Sequence, residues 1–351
     1  QTGKGVSDFH TGDRVVSNGN HAEYVVVNQN LCTRIPDNTD IKEASFTVLG
    51  SIALHGLRLS ETSLGSKVVV IGLGIIGQLV CRLAEAQGSE VIGIDPDTKR
   101  TDLSANFYTS VEEANMTNVD SVIITAATSS NEPIEVATKI ARNKAKIVVV
   151  GDIPLNISRN DFYYKELELV VSKSYGPGRY DKQYEILGKD YPIEYVRWTE
   201  NRNFEAFIKL LSQNQIHLLD LVTKEVSFDN APSIYKKFSG EDKPLSVVLR
   251  YDNKSEPKID FQRTVELEPK TEKVNLGILG AGNFASTTIL PILKELKKDC
   301  QVLGIASSTG LSSESLATNF KIKNKYPTEE EILNSEEIDA CLLYTSDAAD
   351  D

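Results

Sequence analysis

Short apolar runs alternate with amphipathic stretches through the first half of the chain. Residues 67–71 are apolar and β-branched, which is typical of a strand buried on both faces of a parallel sheet. Residues 78–87 place their apolar side chains on one helical face, and 90–94 form the next apolar run. The same alternation then predicts strands at 121–127, 146–151 and 167–172 and a helix at 132–143. This pattern predicts an α/β fold with helices on both faces of a parallel sheet.

A glycine-rich segment joins the first predicted strand to the first predicted helix. Gly72, Gly74 and Gly77 have the spacing Gly-x-Gly-x-x-Gly. In such a segment the first glycine makes a tight turn, the second lets the backbone approach a pyrophosphate, and the third allows close helix–strand packing. The helix N-terminus adds free N–H groups, so Ile75 and Ile76 join the predicted cofactor-binding residues. Because strand, loop, helix and second strand follow in order, we predict a dinucleotide-binding Rossmann fold with a doubly wound sheet.

An acidic residue follows the second strand, where Asp95 can accept hydrogen bonds from both ribose hydroxyls of a dinucleotide. A carboxylate at this place repels a 2′-phosphate, so NAD is the expected cofactor, while Lys99 and Arg100 leave NADP open. The carboxyl ends of later strands contribute further predicted cofactor neighbours, which are Thr125, Ala126 and Gly151. A structural strand–helix turn without a ligand is the alternative interpretation.

Three stretches resemble the medium-chain dehydrogenase/reductase family, which contains the zinc-type alcohol and polyol dehydrogenases. They are residues 12–15 with 22–25, residues 35–37 running to 53–56, and the glycine loop with Asp95. In that family a GroES-like β-barrel precedes the nucleotide domain, and the returning chain completes it. The resemblance therefore implies the end of the barrel sequence at 1–60, the NAD(P)-binding Rossmann domain at 61–194 and the returning segment at 195–255.

The resemblance also bears on zinc. The family's later ligand position follows a Leu-Gly pair, and here Ser51 follows Leu49 and Gly50. Serine is a poor zinc ligand compared with a thiolate, and the family's structural-zinc cysteine cluster is absent from the sequence. The first catalytic cysteine and the His-Glu pair of the family would lie before Gln1. We expect no zinc and no other metal.

Catalytic residues stay unassigned at this stage. His21 is expected on the barrel surface, and His10 and His217 have no neighbouring constellation. His55 is expected to be a hydrogen-bonded packing residue, with a position facing the cleft as the alternative. The segment at 175–180 contains Gly-Pro-Gly between two tyrosines and predicts a rigid turn at a strand end. This turn is either stabilised by aromatic packing or forms a wall of the substrate cleft, where Arg179 or Arg197 holds an anionic or sugar group.

A second glycine loop follows a charged, proline-broken stretch, in which a linker is expected at 256–273. An apolar strand at 274–279 leads into the predicted cofactor-binding residues Gly280, Gly282, Asn283 and Phe284. A helix at 288–297, a strand at 301–306 and a helix at 329–337 are expected to continue this second Rossmann unit. The second strand ends in Ser307 and Ser308 rather than in an acid, so the choice between NAD and NADP is open there.

The second unit, expected at 274–340, resembles the start of the glucose–fructose oxidoreductase and inositol dehydrogenase family, the Gfo/Idh/MocA type. The order of the two modules resembles a group of bi-domain oxidoreductases, which implies sugar or polysaccharide chemistry. Residues 341–351 look like non-native sequence, and the chain is expected to be a fragment truncated at both ends.

The composition of the chain limits the classes of partner that it is expected to bind. The 351 residues carry a net charge of −12, which argues against nucleic acid, and the apolar runs are too short to span a membrane. The four cysteines lie far apart and no signal peptide is visible, so a cytoplasmic protein is expected.

The sequence thus predicts an NAD(P)-dependent oxidoreductase that transfers a hydride between nicotinamide and an alcohol, polyol or sugar derivative. We expect the fragment itself to be inactive, and we leave open whether the protein is a homo-oligomer. The alternative is a catalytically inactive dinucleotide-binding sensor or scaffold.

Overall fold

The computed structural model describes residues 2–3, 5–104, 106–238, 243–251, 273–280, 284–306 and 311–343. The chain divides into two compact units, Gln1–Lys254 and Ser255–Asp351. No helix in the described ranges is long and apolar enough to cross a membrane.

The first unit contains most of the regular structure. Its elements in chain order are β1 (Val15–Ser17), β2 (Cys32–Arg34), α1 (Ile41–Ala44), α2 (Thr47–Leu59), β3 (Lys67–Ile71), α3 (Ile75–Ala86), β4 (Glu90–Ile94), α4 (Thr98–Thr101), β5 (Phe107–Tyr108), α5 (Val111–Ala114), β6 (Val119–Ile124), α6 (Glu132–Ile140), β7 (Ala141–Val149), α7 (Arg159–Tyr163), β8 (Glu168–Val171), α8 (Lys182–Glu185), α9 (Glu200–Ser212), β9 (Lys224–Ser227), α10 (Ala231–Phe238) and β10 (Val247–Arg250). Short 3₁₀ turns lie at Gln29–Leu31, Leu219–Leu221 and Phe228–Asn230.

Six of these strands form one parallel sheet in the order β5-β4-β3-β6-β7-β8. This is the strand order of the doubly wound dinucleotide fold, so the predicted fold class is confirmed. Alternate residues of the central strand enter two hydrophobic cores. Val68 and Val70 pack into the core that includes residues of α2, α3 and α9, whereas Val69 and Ile71 pack into the core that includes α6. The β-branched run is therefore buried on both faces, as its composition predicted.

Smaller strand pairs accompany the main sheet. β1 pairs with β2 in antiparallel orientation, and β9 pairs with β10 in parallel orientation. The amphipathic helix α9 buries Phe204, Phe207, Ile208 and Leu211 on one face. Its contact with α2 is close, because a Cβ atom on Gly50 would lie 2.1 Å from Cε2 of Phe207.

Several element ends differ from the prediction, and two helix ends in the first unit show why. α3 begins at Ile75, three residues before the predicted start. Gly74 is its N-cap residue, so the helix starts inside the glycine loop. The helix predicted at 132–143 ends at Ile140, since Ala141 already pairs with Val119 of β6 and Lys144 has a positive φ of 60°.

The second unit repeats the α/β pattern. Its elements are β11 (Val274–Leu279), a π-helical turn (Ala285–Ile289), α11 (Leu290–Glu295), β12 (Cys300–Ala306), α12 (Leu311–Phe320), β13 (Asn324–Tyr326), α13 (Glu329–Leu333) and β14 (Ala340–Leu343). The four strands are parallel in the order β13-β12-β11-β14. The helix predicted at 329–337 is shorter, and Cys341 pairs with Gly277 inside the sheet. Residues 344–351 and the linker residues 256–272 lie outside the described ranges.

Candidate functional site

The first glycine loop combines tight packing with one open position. Gly72 has a φ of +96°, and a Cβ atom there would lie 2.6 Å from the backbone nitrogen of Ala126. A Cβ atom on Gly77 would lie 1.9 Å from the carbonyl oxygen of Gly72. A Cβ atom on Gly74 would instead meet nothing within 4 Å. The second glycine therefore offers an approachable backbone at the N-terminus of α3, which is the requirement for binding a pyrophosphate.

The other predicted neighbours of the cofactor converge on this loop. Thr125 Oγ1 donates a hydrogen bond of 2.5 Å to the carbonyl oxygen of Gly72. A Cβ atom on Gly151 would lie 2.0 Å from the carbonyl oxygen of Ala126. The ends of β3, β6 and β7 are thus in mutual contact at the carboxyl edge of the sheet, where ligands of this fold bind.

Asp95 lies at the same edge, but its carboxylate already accepts several hydrogen bonds from within the chain. Its side chain is buried, and its Oδ2 atom accepts hydrogen bonds from the backbone nitrogen of Leu73 at 2.7 Å and from Arg100 Nη1 at 3.1 Å. Its Oδ1 atom accepts one hydrogen bond, from the backbone nitrogen of Asp97 at 2.9 Å. A carboxylate has about four acceptor sites, so Oδ1 retains capacity for a ribose hydroxyl. The ribose-binding role of Asp95 stays a prediction.

The serine at the family's zinc position lies inside α2. Ser51 is buried, and its Oγ atom donates to the carbonyl oxygen of Thr47 at 2.8 Å. Within the described ranges, no three His, Cys, Asp or Glu side chains are grouped so that they could hold a metal ion. The expectation of no zinc stays a prediction.

A cavity of about 320 Å³ lies beyond the end of β8. It is lined by His55, Lys173, Gly176, Pro177, Gly178, Arg179, Tyr180, Asp181 and Tyr191. The predicted turn at 175–180 therefore forms one wall, and His55 on α2 forms part of another. Arg197, the other arginine proposed for the cleft, is not among the lining residues and stacks on Trp198 at 3.8 Å.

The turn is also packed internally, as the first interpretation expected, and its role as a wall of the substrate cleft stays a prediction. Arg179 Nη1 donates to Glu185 Oε1 at 2.7 Å, and its guanidinium lies 4.2 Å from the ring centre of Tyr180. Gly176 and Gly178 have φ values of +103° and +107°, a conformation that favours glycine. The wall of the cavity is therefore a turn whose backbone conformation favours glycine at two positions.

Glu200 is a buried acid that the sequence reasoning missed. It is fully buried, and neither carboxylate oxygen has a hydrogen-bond partner in the described part of the chain. Burial, and secondarily the charge of Glu185, raises the pKa of Glu200 to about 8. A signal was present, because Glu200 shares the helical face of Phe204 and Phe207.

The second glycine loop is described only in part. Gly280 has a φ of +101° directly after β11, and the exposed Phe284 begins the following helix. Gly282 and Asn283 lie outside the described residues.

The sequence is similar to a dehydrogenase family and to curated dehydrogenases. Residues 50–160 match the model of the "D-isomer specific 2-hydroxyacid dehydrogenase, NAD binding domain" family. The chain is 25% identical over 272 residues to D-guloside 3-dehydrogenase of Escherichia coli, covering 71% of this chain and 73% of that protein. It is 28% identical over 174 residues to 2-dehydro-3-deoxy-L-galactonate 5-dehydrogenase of Pseudoalteromonas atlantica, covering 44% of this chain and 49% of that protein.

Two solved structures show the fold. Galactitol-1-phosphate dehydrogenase of Escherichia coli matches with a TM-score of 0.57 and 20% identity, over 71% of this chain and 80% of its own. The 2R,3R-butanediol dehydrogenase of Bacillus subtilis matches with a TM-score of 0.55 and 19% identity, over 71% and 77%. The chain shares the fold of these two dehydrogenases.

The shared dehydrogenase fold, the matched NAD-binding model and the similarity to a curated dehydrogenase confirm the prediction of an NAD(P)-dependent oxidoreductase. None of these relatives tests the predicted likeness of the second unit to the Gfo/Idh/MocA family, which stays a prediction.

Proposed function

We propose that the chain forms the cofactor-binding part of an NAD-dependent dehydrogenase that oxidises a hydroxyl group of a sugar or polyol, or reduces the corresponding carbonyl. The open backbone at Gly74, placed at the sheet edge that also carries Asp95, is the observation that carries this proposal. The named activities of the curated relatives, which act on a guloside and on a deoxygalactonate derivative, support the substrate class.

The residues present fit a dinucleotide. The N–H groups at the start of α3, at Ile75 and Ile76, would hold the pyrophosphate, because the first N–H groups of a helix have no acceptor within it. Oδ1 of Asp95 would accept from a ribose hydroxyl. When bound, the nicotinamide supplies the hydride chemistry, while the chain orients the substrate and excludes water. The cavity between α2 and the turn after β8 would hold the reacting sugar.

The second unit is proposed to be a second dinucleotide-binding module of the Gfo/Idh/MocA type. The parallel order of its four strands and the positive φ of Gly280 at the end of β11 support this assignment. Expressing the chain with Gly280→Val and counting bound NADH and NADPH per chain by calorimetry tests it. Stoichiometry unchanged from that of the wild-type chain would contradict the proposal.

We also propose a cytoplasmic protein whose partners are small molecules rather than nucleic acid or a membrane. The net charge of −12 and the four free thiols support this, since disulfides mark oxidising compartments.

Fluorescence titration with NADH and NADPH tests the cofactor assignment. The variant Gly74→Val adds a side chain where the structure has open space, so it should fold normally and lose NADH affinity in the first unit. Ser63→Val is the matched control. Ser63 is exposed and precedes the N-terminal end of β3, whereas the glycine loop follows the C-terminal end of this strand. Unchanged NADH binding in Gly74→Val would refute the site. In the full-length protein, binding without turnover over a sugar and polyol panel would instead favour the sensor or scaffold.

A further inference from the structure

Helix α2 lies against the carboxyl ends of two strands of the main sheet. A Cβ atom on Gly56 would lie 2.6 Å from Cγ2 of Val150 and 4.0 Å from Oγ of Ser172, residues that directly follow β7 and β8. In the doubly wound fold these strands belong to the half of the sheet opposite the one with the ribose-binding acid. That half receives the second nucleotide of a dinucleotide, which is the nicotinamide in NAD. His55, the neighbour of Gly56 on α2, therefore belongs to the nicotinamide half.

His55 faces the cavity there instead of making the hydrogen bond expected from the sequence. Its Nδ1 atom lies 3.0 Å from the position that a Cβ atom on Gly176 would take, and its ring lines the cavity. No residue in the described part of the chain hydrogen-bonds to this imidazole. Burial, and secondarily the charge of Arg58, lowers the pKa of His55, so the ring is neutral near pH 7. A neutral imidazole carries one N–H donor and one nitrogen lone pair.

The other titratable groups of the cavity are poorer proton acceptors. Asp181 accepts hydrogen bonds from Tyr191 and from the backbone nitrogen of Gln183, and these lower its pKa. The same bond to Asp181 is the main reason that the pKa of Tyr191 is raised to about 12. Neither group exchanges a proton readily near neutral pH.

The two cations of the cavity already carry a full complement of protons. Arg179 is paired with Glu185, and the ammonium of Lys173 lies 5.2 Å from the ring centre of Tyr180. Both cations lie over the ring of Tyr180, and more than half of the surface of this tyrosine is exposed. Among the described lining residues, His55 thus offers the one neutral nitrogen lone pair.

We propose that His55 is the acid–base residue of the dehydrogenase and exchanges a proton with the reacting hydroxyl of the substrate. This inference rests on the proposed function. In the oxidation direction the carbinol C–H bond breaks and its hydrogen leaves with the electron pair for the nicotinamide. The O–H bond breaks, its electron pair forms the C=O bond, and the proton bonds to the lone-pair nitrogen of His55. The imidazolium then releases this proton to water.

Nuclear magnetic resonance of the wild-type chain tests this placement without an activity measurement. The chain has four histidines, so labelling them gives four ring signals, and His55→Gln identifies the relevant one. NAD⁺ and NADH differ in the charge of the nicotinamide ring. A unit positive charge within about 10 Å lowers an imidazole pKa by on the order of one unit at an effective dielectric constant of about 20. The pKa of His55 should therefore be lower in the NAD⁺ complex than in the NADH complex.

The exposed His217 is the matched control, and its ring signals should be the same in both complexes. Equal pKa values of His55 in the two complexes would overturn the proposal. If neither dinucleotide binds, the proposed function itself fails, and the fluorescence titration detects that case separately.

Kinetics of the full-length enzyme give the second readout. His55→Gln and His55→Asn should lower kcat about 10²- to 10⁴-fold, which is the usual contribution of a positioned acid or base. The acidic limb of the pH profile of kcat should disappear in both variants, while NADH affinity stays within about 2-fold of wild type. A variant that keeps the wild-type limb, or that loses NADH binding in proportion to kcat, would show that His55 only shapes the site.

Discussion

The carboxyl group of Glu200 is buried at the start of α9 without a partner among the described residues. With a pKa of about 8 in the folded chain and an ordinary value of 4.5, it stays protonated where the unfolded chain has released the proton. Between these two values the folded state binds more protons, so the free energy of unfolding falls as the pH rises. The stabilising contribution is complete below pH 4.5 and is lost by about pH 8.

Glu200→Gln should remove this dependence, because glutamine is neutral and of similar shape. We expect wild type and variant to unfold alike near pH 4.5, and the variant to be more stable by several kcal/mol at pH 8, at about 1.4 kcal/mol per pH unit. Urea unfolding at a series of pH values measures the difference. Glu132→Gln, at an exposed position of α6, is the control and should follow wild type throughout. Parallel curves for wild type and Glu200→Gln would contradict the burial argument.

Asp95 shows how far a single residue can be predicted from its place in a motif. Its position at the end of β4 was predicted from the spacing, but its bonds to Leu73 and Arg100 were not, because they join segments more than four residues apart. Glu200 was missed for the same reason, and the sequence left open whether His55 is a packing residue or faces the cleft. Their surroundings come from the turn after β8 and from neighbouring acids, which no local pattern connects to them.

Replacing Asp95 by asparagine should separate its two roles. The amide oxygen can still accept from the backbone nitrogen of Leu73, but the charge that is expected to favour NADH over NADPH is gone. Losing one charge-assisted hydrogen bond costs about 1.5–3 kcal/mol, so NADH affinity should fall roughly 10- to 100-fold. Asp97→Asn is the matched control, because Asp97 also pairs with Arg100 but lies beyond the strand. Equal losses in the two variants would show that Arg100, rather than the ribose contact, sets the affinity.

Helices α2 and α9 meet at Gly50, where the ring of Phe207 leaves no room for a Cβ atom on residue 50. Gly50→Ala should destabilise the first unit by about 1–3 kcal/mol through overpacking. Chemical denaturation of Gly50→Ala, Phe207→Leu and the double variant measures the coupling. Because leucine removes the ring atoms in conflict, the double variant should be more stable than the sum of the single effects predicts. Additive effects would mean that the helices move apart instead.

At the level of elements, hydrophobic periodicity predicted the strands and the long helices well. The strands β3 and β4 lie where their apolar patterns placed them, because burial on both faces determines those patterns. The predicted end of α6 was wrong, because the pairing of Ala141 with β6 overrides the helix propensity of this segment. The segment between 97 and 120 could not be assigned, because α4 and α5 are four residues long and β5 is two.

Each unit has its own hydrophobic core, and this has a consequence for the whole chain. Ile123 is fully buried in the first unit and Ile305 in the second. Truncating a buried isoleucine to alanine costs about 2–5 kcal/mol. In differential scanning calorimetry, Ile123→Ala should lower one transition and Ile305→Ala another. Both variants shifting a single common transition would contradict two separately cooperative units.

The one tryptophan of the sequence lies beside the proposed site. Trp198 stacks with Arg58 at 3.3 Å, and Arg58 is one turn along α2 from His55. An indole emits in the range that reduced nicotinamide absorbs, so the chain carries an energy donor next to the place where an acceptor would bind. Oxidation state could then be followed by sensitised emission, with no label attached, and the variant Trp198→Phe would lack the indole donor of this signal.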